Sequence, residues 1–284
     1  MLVLTVGAAG PHAGLVVPEL IERGVTVRAL VRDDAGAARA RTRGVQETVL
    51  GDLLDPASLR AAAEGVDGVF HLNPAFAPDE AGMGTAMVEA AGAAGVRTFV
   101  FSSVYHPSMS LINHAAKRPV EEALYASGMR FTVLQPAMFM QMLGGAVEQA
   151  RRTGRITGPY SARSKMTYVD YRDVAEAAAL ALTGDELTNG TFELAAPGMV
   201  DRGELAALIS TAIGRPVDAG ETSAEEFTAR VPAGPLRDGL TAMNAEYDRH
   251  GFPGGNALVL RAILGREPRT LTDFIAEHTH REPR

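Results

Sequence analysis

The chain holds 284 residues, enough for one large domain or two modest ones, and its 46% hydrophobic and 21% charged content is that of an ordinary globular protein. A formal net charge of −7 excludes a broad basic face for nucleic acid, and the absence of cysteine excludes disulfides, thiolate metal sites and cysteine nucleophiles. No apolar run approaches the ~20 residues of a bilayer span. No basic leader precedes the first apolar run, so a cytoplasmic protein with no membrane partner is expected.

Leu2 to Val6 reads as a buried strand, and Val16 to Gly24 as a helix that stops at a glycine. Between them lies Gly7-Ala8-Ala9-Gly10-Pro11-His12-Ala13-Gly14. A strand, a glycine turn and a helix form the setting in which such a turn holds a nucleotide phosphate. Gly7 allows a sharp turn, Gly10 lets the backbone approach a pyrophosphate, and the amides at the helix start face its charge. Ala13 holds the third position, where close helix–strand packing wants little bulk, with Gly14 behind it. Pro18 falls inside this first helix and predicts a bend or a late helix start.

Val25 to Val31 reads as the second strand, ending at Arg32-Asp33-Asp34, and Val45 to Leu50 as the third, closed by Gly51-Asp52-Leu53. Asp55-Pro56 opens the next helix, Asp as its cap and Pro in its first turn. The fourth strand runs from Val66 to Leu72. A helix from Asp79 to Ala94, a fifth strand from Thr98 to Ser103, a single helix from Ile112 to Ser127 and a sixth strand from Arg130 to Leu134 follow. Apolar strands alternating with helices predict a doubly wound parallel α/β sheet of the Rossmann type.

Beyond this, residues 137–167 read as a methionine-rich helix start and a polar basic loop, and 168–196 as a helix and strand returning to the sheet. The rest reads as helices and loops, with a polar tail after Ile275 expected to fray. The predicted organisation is a dinucleotide-binding domain (1–136 plus 168–196) and a smaller, mostly helical carboxy-terminal substrate lobe (137–167 plus 197–284). The arginine clusters Arg39, Arg41 and Arg43, and Arg151, Arg152 and Arg155, read as solvated helix faces. His278 and His280 lie in the polar tail, and no metal site is expected.

In an open parallel sheet, ligands gather beyond the carboxyl ends of the strands. The expected cofactor residues are therefore Gly7, Ala9, Gly10, His12, Ala13, Arg32, Asp52, Leu53, Leu72, Asn73, Pro74 and Pro136. An NAD site usually has an acid at the end of the second strand. Arg32 stands there instead, as a 2′-phosphate requires, with Arg28 available if it faces the same way. NADP is the expected cofactor, with NAD as the second choice.

These residues resemble the NmrA-like branch of the atypical short-chain dehydrogenases. The resemblance rests on Gly7-Ala8-Ala9-Gly10, the run from Val27 to Arg32, Gly51-Asp52-Leu53 and Phe101-Ser102-Ser103. It continues through His114-Ala115-Ala116-Lys117-Arg118-Pro119-Val120-Glu121, Thr132 to Met140, Asp170 to Ala175 and Leu264 to Pro268. It implies an NAD(P)H-dependent reductase or a redox-sensing regulator, and it implies that Lys117 binds the nicotinamide ribose. The sequence departs from the family pattern at Asn113, where a catalytic tyrosine usually precedes the lysine by four, and an amide has no titratable proton. The candidates for that role are His114, on the same helical face as Lys117, and Tyr105, whose phenol a nearby ammonium would lower. Ser103 could bond a substrate carbonyl. Tyr105, Met138, Phe139, Met142 and Tyr168 are the expected pocket wall. The leading expectation is reduction of a small apolar carbonyl or quinone-like compound. The alternatives are a dinucleotide sensor acting through a protein partner, or recruitment of the fold to another redox step such as oxygenation of an aromatic metabolite. A homodimer is compatible with any of these.

Overall fold

The computed structural model describes residues 1–229 and 231–279; His280 lies outside them. In chain order come β1 (Leu2–Val6), α1 (Val16–Glu22), β2 (Thr26–Val31), α2 (Asp34–Arg41), β3 (Glu47–Leu50), α3 (Pro56–Ala63), β4 (Gly68–Leu72), α4 (Glu80–Ala93) and β5 (Thr98–Ser102). Next are α5 (Ile112–Ala115), α6 (Arg118–Ala126), β6 (Arg130–Pro136), β7 (Met138–Phe139), α7 (Gly144–Thr153), β8 (Arg155–Gly158) and β9 (Tyr168–Val169). The chain closes with α8 (Tyr171–Thr183), β10 (Gly190–Leu194), α9 (Arg202–Ile213), β11 (Asp218–Glu221), α10 (Ala224–Thr228), α11 (Pro235–His250), α12 (Leu258–Leu264) and α13 (Leu271–Thr279).

Seven strands form one sheet in the order β10-β6-β5-β4-β1-β2-β3. Its neighbours from β3 across to β6 pair in parallel. The order reverses between β1 and β4, which makes that point the natural ligand crevice. The central strands β1, β4 and β5 are apolar because both faces are covered. Leu4, Val69, Phe99, Phe101 and Val133 pack with Leu59, Met87, Val120 and Leu124 in one core, while α1 and α8 pack together and α8 lies on β4, β5 and β6. Aspartates start three of the crossover helices: Asp33, Asp55 and Asp79 accept the amides of Gly36, Ala57 and Gly82.

The structure departs from expectation in four places. The predicted helix over 112–127 is two helices. Pro119 has no amide to donate, so the ladder shifts to three-residue bonds, Lys117 N to His114 O at 3.1 Å and Val120 N to Lys117 O at 3.1 Å, and the helix restarts with Pro in its first turn. His114 and Lys117 lie one 3-10 step apart at this junction, and the Lys117 charge is one of the influences that lower the His114 imidazole. The methionine-rich segment begins as β7 and a short 3-10 turn rather than as an α-helix. The expected basic loop contains β8, which pairs in parallel with β11, so the carboxy-terminal part also holds strands. The expected frayed tail is helical through Thr279: Phe274 is buried, the His278 ring stacks on it at 3.9 Å, and Arg151 donates to the carbonyl oxygens of His278 and Thr279.

The chain divides into two compact units, Met1–Pro136 with Tyr171–Glu193, and Ala137–Asp170 with Leu194–Arg284. The segments just outside 171–193 bond within the second unit: β9 pairs with β7, and Ala196 N donates to Tyr168 O at 2.8 Å.

Candidate functional site

The turn after β1 is built as its glycines require. Gly7 has φ +91°, and a Cβ there would lie 3.0 Å from the Ala13 Cβ. Gly10 donates its amide to Gly7 O at 2.8 Å, closing the turn. The close-packing role predicted for Ala13 is shared with Gly14, whose Cβ would meet Ala8 O at 2.7 Å. A 3-10 turn, Ala13–Leu15, precedes α1, so Pro18 falls in the first turn, where its missing amide costs nothing. The helix starts late and needs no kink.

A groove of about 510 Å³ opens over this turn and the carboxyl ends of β1, β2, β3 and β4. Gly7, Ala9, Gly10, His12 and Ala13 form its floor, and Arg32, Asp52, Leu53, Leu72, Asn73 and Pro74 line its sides. The structure thus gathers eleven of the residues expected at the cofactor. Among the described residues that line the groove, Lys117 and Pro136 are absent. Arg39 and Met83 are present, Arg39 lining the groove where a solvated helix face was expected. The Asp33 cap was the available signal, since it fixes the start of α2 and so returns Arg39 toward the strand end.

The charges at the end of β2 are sorted by their partners. Asp33 accepts the Gly36 amide at 2.6 Å as the cap of α2, so its carboxylate is engaged by a helix start. Arg32 and Arg39 are exposed and make no ion pair among the described residues. Arg28 does not assist. It bonds Glu47 at 2.9 Å and the carbonyls of Ala62 and Glu64, because its place within β2 turns it toward β3 and α3 rather than toward the strand end. Asp52 accepts the Leu54 amide at 2.9 Å and exchanges bonds with Ser58, holding the turn after β3 at the groove's edge.

Deeper in the first unit lies a chain of buried polar groups. His71 bonds the Asn73 side-chain oxygen, the Asn73 amide donates to Glu80 O at 2.8 Å, and the Glu80 carboxylate bonds the Lys117 ammonium. Burial holds the His71 imidazole down to about 4, so at pH 7 it is neutral and donates from Nε2. Glu80 drew no attention in the sequence because an acid beside an Asp cap reads as an ordinary first-turn residue.

The candidates for a proton donor are engaged or unfavourably placed. Ser103 donates its hydroxyl to Glu121 at 2.5 Å, and Gln135 donates to the same carboxylate at 3.0 Å. The Tyr105 phenol is pushed up, first by burial and then by the Glu193 charge, opposite to the lowering expected from an ammonium. His114 lies below its ordinary value, chiefly through burial, and its Nδ1 donates to His106 O at 3.0 Å, so it is neutral at pH 7. The side-chain oxygen of Asn113 is buried without a hydrogen-bond partner among the described residues. Met138, Phe139, Met142 and Tyr168 belong to the second unit, where Met142 is 63% exposed and Tyr168 is buried.

The comparisons decide the lineage. The NmrA-like family model matches residues 1–275. This chain belongs to the NmrA-like family. Among its relatives in the family, the NAD(P)H azoreductase of Xenophilus azovorans is 33% identical over 289 residues, covering 98% of both chains. The (4-alkanoyl-5-oxo-2,5-dihydrofuran-3-yl)methyl phosphate reductase of Streptomyces griseus is 30% identical, again over 98% of both. Among solved structures, the NADPH-dependent quinone oxidoreductase QOR2 of Escherichia coli, complexed with NADPH, superposes with a TM-score of 0.83 at 24% identity, covering 98% of this chain and 99% of that one, which establishes the fold.

Proposed function

We propose that this NmrA-like protein is an NADPH-dependent reductase of small planar electrophiles of the quinone or azo class. The observation that carries the cofactor choice is the end of β2, where two exposed arginines line the groove and Asp33 caps α2 through the Gly36 amide. The groove also offers a glycine turn to a phosphate. Its floor is a turn that a Cβ on Gly7 would crowd, and Asp52 stands at the edge where an adenine ring would lie. Arg32 and Arg39 are the donors for a 2′-phosphate.

When bound, a reduced nicotinamide supplies a hydride. The chain's own residues supply little acid. Asn113 has no proton to give, Ser103 is committed to Glu121, Tyr105 holds its proton more tightly than usual, and His114 is neutral. An acceptor that stabilises its own added electrons, and then takes its proton from water, suits such a site better than an unactivated ketone. The reductases to which the chain is similar support this reading. A dinucleotide sensor is the second reading, favoured by Asn113, and turnover with any acceptor separates the two.

Fluorescence titration with NADPH and NADH tests the cofactor assignment. NADPH is expected to bind more tightly, and Arg32→Ala and Arg39→Ala are each expected to weaken NADPH by about tenfold or more while leaving NADH unchanged. Equal binding of the two cofactors, unaffected by either substitution, overturns it.

A further inference from the structure

Lys117 is 4% exposed, and its ammonium meets the Glu80 carboxylate rather than the groove. Glu80 is equally buried and serves three partners at once. Its Oε1 takes the ammonium, its Oε2 accepts the Phe76 amide at 2.9 Å, and its backbone oxygen accepts the Asn73 side chain at 2.8 Å. These contacts bracket the loop 73–79, which joins β4 to α4 and whose first residues, Asn73 and Pro74, wall the groove. The loop needs restraint. Phe76 sits at φ +63°, a conformation that a side chain bearing a Cβ rarely adopts. Asn73 is seated against Gly84, where a Cβ would come within 2.8 Å of its Nδ2, and is bonded on its other side to His71.

We propose that Glu80 and Lys117 form a buried latch that holds the 73–79 loop as one wall of the groove. Lys117 is then a positioning residue that acts through Glu80, not a ligand of the dinucleotide. The inference rests on the groove being the dinucleotide site, but the latch itself is a property of the ligand-free chain. Either partner alone leaves a buried unpaired charge, so removing one must loosen the same loop as removing the other.

Two measurements on the full chain test this, using Glu80→Gln, Lys117→Met, the double variant and Lys117→Arg. In ligand-free protein, both single substitutions are expected to speed hydrogen exchange at the Phe76 amide by about tenfold or more. The double variant should be no faster than the worse single, and Lys117→Arg, which keeps the ion pair, should stay near the wild-type rate. In NADPH titrations, Glu80→Gln and Lys117→Met are expected to weaken binding by similar factors. If Glu80→Gln binds NADPH as tightly as wild type or more tightly while Lys117→Met weakens it, Lys117 is a dinucleotide ligand and the latch is wrong. Unchanged exchange at Phe76 in the single variants, or Lys117→Arg behaving like Lys117→Met, overturns it too. Wild-type protein that binds no dinucleotide defeats the reading of the groove instead, and the exchange measurement still decides the latch. Should Glu80→Gln fail to fold, Glu80→Asp, which keeps the charge on a shorter arm, is expected to speed Phe76 exchange in its place.

Discussion

His71 packs between aromatic rings, 5.8 Å from Phe101 and 6.1 Å from Phe99, and titrates at about 4 rather than 6.5 mainly because burial disfavours its charged form. Between those two values the unfolded chain carries a proton that the folded chain does not. Stability from this group is therefore complete above about pH 6.5 and is lost as pH falls toward 4, by roughly 3 kcal/mol across the window. His12 and His114, also held down by burial, act in the same direction. Urea unfolding across that range should show the loss, and His71→Phe should flatten it; an equal slope in the variant contradicts the assignment. Single residues also show what could be read in advance. Gly7, Arg32 and Asp52 were legible because each has a local signature, a glycine turn or a strand end. Glu80, Glu121 and Arg39 were not, because their roles depend on partners 37 residues away for Glu80 and 18 for Glu121, or on the direction in which α2 leaves the sheet.

Helix α2 carries a separable prediction. Asp33 caps it through the Gly36 amide, so Asp33→Ala should cost about 1 kcal/mol of stability, whereas Asp33→Asn should keep the cap. Neither should change the preference for NADPH, which Arg32 and Arg39 carry. A thermal melt paired with the cofactor titration checks both, and a loss of NADH affinity in either variant shows the Asp33 carboxylate holding a ribose hydroxyl and counts against the arginine-based choice. The break between α5 and α6 follows from Pro119, which lacks an amide and stands in the first turn of α6. The parallel pairing of β8 with β11 was illegible for a different reason. It joins short segments some 60 residues apart, and neither carries the apolar run that marks the central strands.

Across the whole molecule, an acidic chain presents a groove whose mouth carries two arginines, so its affinity for a phosphate-bearing ligand is set locally and not by net charge. No helix among the described residues is long and apolar enough to cross a membrane. The sheet was legible because its central strands β1, β4, β5 and β6 are buried apolar runs, whereas the edge strands β3 and β10 keep exposed polar residues. The reaction was not, because it turns on which protons are already committed, and only the packing of Ser103, Tyr105 and His114 reveals that. The direct test is NADPH oxidation by the purified protein, with a naphthoquinone, an azo compound and an unactivated aldehyde supplied in parallel. Turnover with the quinone or azo acceptor, and with the aldehyde slower by about a hundredfold or more, is the predicted result. Equal turnover of the aldehyde, or none with any acceptor while NADPH binds tightly, contradicts it.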